Sequence, residues 1–111
     1  MVSSEALAKE DWGNLVSSVL RMAGHLFPMF YAYILESLVK PGELYRGSTD
    51  ELKRRLAEHN AGKCVHTSKL KPWKVKFYAA FETSMLAKKF ERYLKSGSGH
   101  AFTMRRLIGV E

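Results

Sequence analysis

At 111 residues the chain has room for one domain with a modest core. Hydrophobic residues make up 46% and charged residues 26%, as in an ordinary soluble chain, and no stretch approaches the ~20 apolar residues of a membrane span. The formal net charge is +7, and it is uneven: Lys53 to Arg106 holds fourteen Lys or Arg against Glu58, Glu82 and Glu91. A basic surface concentrated on part of a small domain suits a polyanion, nucleic acid being the usual one. Cys64 is the only cysteine, so neither an intrachain disulfide nor a multi-cysteine zinc site can form. A reduced, cytoplasmic setting is expected from this, and secretion is not expected, because Glu5, Glu10 and Asp11 stand where a secretory leader would be basic.

In chain order, residues 4 to 26 read as a helix with one apolar face, Trp12, Leu15, Val16, Val19, Leu20 and Ala23, ended by Gly24 and Pro28. Phe30-Tyr31-Ala32-Tyr33-Ile34-Leu35 has the aromatic and β-branched content of a strand. Lys40-Pro41-Gly42 signals a turn and Leu44-Tyr45-Arg46 a return strand, so 30 to 47 forms a hairpin. Ser48 and Glu51 have capping-box spacing for a helix running to about Asn60, with Gly62 as its stop. Residues 61 to 72 are loop-like and basic. Trp73, Val75, Phe77, Ala79 and Phe81 then alternate as one buried face of a third strand. Thr83 or Ser84 can cap a helix that stops at Ser96-Gly97-Ser98-Gly99, and a short last helix spans about 100 to 108. The expected architecture is α+β, a small three-stranded antiparallel-type sheet flanked by helices, with an extra N-terminal helix. The division is 1–28 as a helical extension and 29–111 as the domain proper, and that extension could pack on the domain or on a partner. Met29 could alternatively be the start of translation.

Glu91 is the anomaly of the last long helix. Ala87, Phe90, Glu91 and Leu94 fall at i, i+3, i+4 and i+7, which sets a carboxylate on an apolar stripe. Such a group must be paired, bind a metal or reach a cleft rim, and Lys88 and Lys95 are within pairing distance along the helix. Tyr31 and Tyr33 share one strand face, and Tyr45 joins them if the hairpin register allows. Arg55 and His59 share a helix face at i and i+4, with Leu52 and Leu56 as an adjacent anchoring row.

Tyr31-Ala32-Tyr33, Tyr45-Arg46-Gly47, Arg55, His59-Asn60-Ala61-Gly62 and Glu91, in that order, resemble the GIY-YIG nuclease family, particularly its small single-domain bacterial members. The resemblance covers about residues 29 to 108. It implies a metal-dependent endonuclease that hydrolyses DNA phosphodiester bonds, RNA not being excluded, with little sequence specificity of its own. By resemblance, Tyr45 is the general base, Tyr33 positions water or phosphate, Arg55 holds the phosphate, and His59 assists. Glu91 binds one Mg²⁺ or Mn²⁺, and Gly47 lets the chain turn into the helix. The nucleic acid is expected to meet Arg46, Lys63, Lys69, Lys71 and Lys74. Arg46 departs from the family's apolar central residue, and an Asn found beyond the glutamate in several members has no match here. The alternative reading is a non-catalytic nucleic-acid-binding module of the same fold. Protein partnership or self-association through the N-terminal helix is also possible.

Overall fold

A computed structural model describes residues 28–109. The helix expected over 4–26, and any partnership through it, lie outside the described residues. Strands β1 (Phe30–Ser37), β2 (Leu44–Thr49) and β3 (Trp73–Phe81) form one sheet in the order β2-β1-β3, with β1 antiparallel to both neighbours. Helix α1 (Leu52–Asn60) follows β2, α2 (Ser84–Lys95) follows β3, and α3 (Gly97–Phe102) runs into a π-helical turn, Thr103–Leu107. This is the expected three-stranded antiparallel sheet flanked by helices.

The central strand explains its own burial. Ala32, Tyr33, Ile34 and Leu35 are each no more than 1% exposed, because both faces of β1 are covered. On one face Tyr33, Leu35 and Trp73 form a core joined by Tyr45, Leu52, Leu56, Leu70 and Val75, which seats α1. On the other, Phe90 of α2 meets Phe77 and Phe81, with ring centroids 6.4 and 5.5 Å away. Ala87 and Leu94 complete the buried side of α2.

Strand β3 does not keep the single buried face that strict alternation predicts. Its register with β1 passes from Ile34↔Phe77 to Leu35↔Val75, leaving Lys76 as an extra residue. A bulge of this kind breaks the period of two. Trp73 and Val75 therefore serve the α1 core, and Phe77 and Phe81 serve α2. One strand supplies two cores.

Two local expectations also give way. Strand β2 continues through Gly47 to Thr49, because Ser48 pairs with Ala32 and Thr49 with Tyr31. The sheet thus takes the residues that would have capped α1; Glu51 is its N-cap, and no side chain caps it. At the other end, α2 gives way to α3 without the expected gap. Ser96 caps α3, its Oγ accepting from the Gly99 N–H at 3.1 Å. Gly99 is needed there: a Cβ would meet the Tyr93 carbonyl oxygen at 1.7 Å.

Asn60, the last residue of α1, brackets the start of β3. Its Nδ2 donates to the Trp73 carbonyl at 3.1 Å, and its Oδ1 accepts from the Trp73 N–H at 2.6 Å. Asn60→Ala leaves both backbone groups without these partners and is expected to lower unfolding stability by about 1–3 kcal/mol. Urea denaturation of the two proteins checks this, with an unchanged midpoint as the contrary result.

Candidate active site

Four of the five expected catalytic side chains gather on the α1 side of the sheet. Tyr33 stands opposite Gly47, and Tyr45 opposite Leu35, so alternation puts both phenols on the same face. Their ring centroids are 6.4 Å apart. His59 lies 4.9 Å from the Tyr45 ring and 6.0 Å from the Tyr33 ring. Arg55, one turn before His59, is held by Glu58 at 3.0 Å and lies close enough to the Tyr33 hydroxyl to act on its titration.

The innermost part is a chain of hydrogen bonds. Tyr33 Oη lies 3.0 Å from His59 Nε2, and His59 Nδ1 lies 2.8 Å from Thr67 Oγ1. His59 and Thr67 are fully buried. Thr67 Oγ1 also donates to the Cys64 carbonyl at 3.4 Å. One proton arrangement serves every member. Because Thr67 gives its only proton to that carbonyl, its oxygen accepts from His59 Nδ1, which leaves Nε2 to accept the Tyr33 proton. His59 then carries its proton on Nδ1 and donates to Thr67, which donates onward to the carbonyl.

These contacts set the titration of the group. Burial pushes Tyr33 up to about 12 against the opposing hydrogen bond from Arg55. Burial and the Arg55 charge hold His59 below its ordinary value of 6.5. Burial raises Tyr45 as well, and the neighbouring Cys64 adds to this, while Arg55 and Lys95 pull it down. Arg55 is raised, first by Glu58 and then by Tyr33. The site thus holds neutral phenols and a neutral imidazole around a permanent guanidinium.

Gly47 has a role different from the expected turn. A Cβ on Gly47 would lie 2.6 Å from the Tyr33 hydroxyl and 3.2 Å from the Tyr45 ring. The glycine is there because the Tyr33 phenol occupies the space of a side chain, not because the backbone turns.

Glu91 approaches from the other side. Helix α2 covers the face bearing Arg46 and Ser48, and the Glu91 side chain is 20% exposed. Burial alone would raise this carboxyl, but hydrogen bonds from Lys95 and Ser48, and the charges of Lys95 and Lys88, hold it below the ordinary carboxylate value. Lys95 Nζ lies 2.7 Å from Glu91 Oε2. The carboxylate still influences Tyr33 and Tyr45 electrostatically. The five residues therefore converge across edge strand β2, with Glu91 on one side and the phenols, His59 and Arg55 on the other.

Of the residues expected to meet nucleic acid, Lys63, Lys69 and Lys71 are exposed on the loop that seats Thr67 against His59. Lys74 is exposed and lies 3.6 Å from Glu36. Arg46 is not a free surface cation. It is half-buried on the α2 side, its Nη2 lies 3.1 Å from His100 Nδ1, and its Nε is buried without a partner.

Thr67 and Ser48 belong to this neighbourhood and were not expected in it from sequence, whereas the pairing of Lys95 with Glu91 was an expected alternative. Thr67 looks like any loop threonine, Ser48 read as a helix cap, and Lys95, four residues after Glu91, carried the spacing of an ion pair. Cys64, which reads as a bystander in its loop, is half-buried within electrostatic range of Tyr45 and Arg55. Burial opposes ionisation of its thiol, but hydrogen bonds from Thr67 and His66 and the Arg55 charge outweigh it and lower the value.

Comparison with known proteins shows the family. The family model described as the GIY-YIG catalytic domain matches residues 29–104. The chain belongs to the GIY-YIG nuclease family. Among its relatives is the structure-specific endonuclease subunit SLX1 of Candida dubliniensis, 38% identical over 91 residues, covering 75% of this chain and 30% of that protein. Its counterpart in Podospora anserina is 42% identical over 69 residues, covering 57% and 20%. That of Chaetomium globosum is 35% identical over 88 residues, covering 72% and 27%. These GIY-YIG relatives are fungal, where the sequence suggested the bacterial members. The chain matches less than a third of the length of each.

A histidine with a depressed folded value binds its proton more readily when unfolded. Stability therefore rises with pH through the window just below 6.5 and is level above it. The depressed carboxylates, Glu36, Glu58 and Glu91, act in a separate window, below 4.5. Urea unfolding between about pH 7.5 and about pH 5.5 should show wild type losing stability toward the acid end. His59→Gln, less stable throughout, should lack that slope. A slope that persists in the variant contradicts the assignment.

Proposed function

We propose that this chain is a metal-dependent endonuclease domain that hydrolyses DNA phosphodiester bonds, with Tyr45, Arg55 and Glu91 acting directly on the substrate. The observation that carries the reading is the convergence of two phenols, a guanidinium and a carboxylate across the edge of one small sheet. Cleaving a phosphodiester requires an in-line water, a route for its proton and positive charge on the phosphate oxygens.

Exposure separates the two tyrosines. Tyr33 is 1% exposed, so water does not reach its hydroxyl, while Tyr45 is half-buried. Tyr45 is therefore the group that receives the proton of the attacking water. A neutral phenol is a poor base, so Tyr45 acts as the phenolate, which the charges of Arg55 and Lys95 favour against the effect of burial. Arg55 presents a planar fork to the non-bridging oxygens, its approach fixed by Glu58. Tyr33 and His59, fixed by Thr67, hold the Tyr45 ring in place.

Among the described residues no three His, Cys, Asp or Glu come together as a ready-made metal cage. Glu91, near Ser48, suits an ion that accepts one carboxylate and takes its other oxygens from water and substrate. Mg²⁺ or Mn²⁺ held there would supply positive charge to the developing oxyanion and the leaving oxygen. The exposed Lys63, Lys69 and Lys71 would contact flanking phosphates.

The relatives are named as subunits of structure-specific endonucleases. By that likeness, the substrate proposed for this chain is branched or otherwise structured DNA, selected by shape more than by base sequence, and a protein partner completes the DNA contacts.

Purified protein should cleave flap or branched DNA faster than plain duplex in Mg²⁺ or Mn²⁺, and not in EDTA. Tyr45→Phe, Arg55→Ala and Glu91→Gln should each reduce single-turnover cleavage by about 10²-fold or more, with DNA affinity retained in Tyr45→Phe and Glu91→Gln. Undiminished metal-dependent cleavage by Glu91→Gln contradicts the proposal. Salt-sensitive binding without cleavage of any substrate would favour the non-catalytic reading.

A further inference from the structure

We propose that Lys95 is an additional catalytic residue that changes partner. Its ammonium neutralises Glu91 until a divalent cation takes that carboxylate, and it then moves to the scissile phosphate beside Tyr45. The inference rests on the reading of Glu91 as the metal ligand.

An i,i+4 Glu–Lys pair on a helix is ordinarily a solvated surface contact, but this pair differs in where it points. Glu91 lies on the buried stripe of α2 at 20% side-chain exposure, and Lys95 reaches over to it with Nζ at 2.7 Å. Tyr45, on the other face of the sheet, also registers the Lys95 charge. The helix that carries Glu91 and Lys95 packs over edge strand β2, the strand that also carries Tyr45, so the ammonium resting on the carboxylate lies along the same sheet edge as the phenol.

The backbone around Lys95 is pinned. The Ser96 N–H and Oγ both donate to the Tyr93 carbonyl, at 3.0 and 2.6 Å, and Ser96 Oγ accepts from Gly99 N. Only the flexible four-carbon stem, 54% exposed, is free to move. A divalent cation bound to the Glu91 carboxylate would repel the ammonium now resting on it. An exposed pair is weak enough to yield to such an ion. Once displaced, the ammonium meets a new anion, the phosphate, without any change in fold.

The bound form would then carry three positive groups around the phosphate: the ion on Glu91, Arg55 and Lys95. The free form keeps the carboxylate neutralised by a side chain already present.

The test compares wild type, Lys95→Met, Lys95→Arg and Glu91→Gln by Mn²⁺ binding, read by electron paramagnetic resonance, and by single-turnover cleavage of branched DNA at saturating Mn²⁺. Lys95→Met should bind Mn²⁺ about two- to fivefold more tightly than wild type, because the competing cation is gone. It should nevertheless cleave about 10²-fold more slowly at saturation. Lys95→Arg should recover part of the rate, and thermal melting should show all three variants folded. A merely structural ion pair would not produce tighter metal binding together with slower cleavage. Unchanged Mn²⁺ affinity in Lys95→Met, or its cleavage at the wild-type rate, overturns the inference while leaving the nuclease reading intact. Wild-type Mn²⁺ binding by Glu91→Gln removes the site on which the exchange depends. Wild-type protein that binds Mn²⁺ and cleaves no substrate ends the nuclease reading itself, and the phosphate half of this inference with it.

Discussion

The buried hydrogen-bond chain from Tyr33 through His59 to Thr67 is the constraint on which the rest of the site depends. A phenol, an imidazole and a hydroxyl withdrawn from water are costly unless each finds a partner. Here each is a partner of the next. Because the three come from β1, the end of α1 and the basic loop, satisfying them fixes three segments that sequence separates. Gly47 allows this by leaving room for the Tyr33 phenol over β2, and Asn60 fastens the same end of α1 to β3. Trp73 closes the arrangement from below, its indole N–H donating to the Thr67 carbonyl at 2.9 Å.

This chain divides the work between concealed and accessible groups. Tyr33 and His59 are out of reach of solvent, and in the proposed reading they act by position. Tyr45 and Arg55, resting on them, stay open to a substrate. Glu91 is brought to the same region from the opposite face of the sheet, by a helix whose packing is governed by Phe90 against Phe77 and Phe81. The bulge at Lys76 makes both arrangements possible, since it lets β3 support α1 at one end and α2 at the other. A site spread over a sheet edge, instead of sunk in a cavity, suits a polymer that must lie across the protein.

Much of this was legible in the sequence. The hairpin, the third strand and the helix bearing Glu91 follow from composition and period, and the tyrosine, arginine and histidine spacings point to a shared site. The parts that were not legible have a common cause, which is that long-range pairing overrides local signals. Ser48 and Glu51 have capping-box spacing, yet pairing with Ala32 draws Ser48 into β2. The alternation from Trp73 to Phe81 conceals a bulge, because inserting Lys76 shifts the face without altering the pattern of residue types. The Ser96–Gly99 stretch reads as a break, although Ser96 is a cap and Gly99 a point of close backbone approach. Arg46 could not be placed without the register, which sets it under α2 against His100. Thr67 gave no signal at all, since its importance lies entirely in what reaches it.

The central claim is that His59 is a neutral acceptor for Tyr33, held in one tautomer by Thr67. Nitrogen NMR of imidazole-labelled protein tests it most directly. The account predicts that at neutral pH His59 carries its proton on Nδ1, with Nε2 unprotonated and hydrogen-bonded, and that it remains neutral below the pH at which exposed histidines such as His66 are protonated. An imidazolium at neutral pH, or a proton on Nε2, would contradict it.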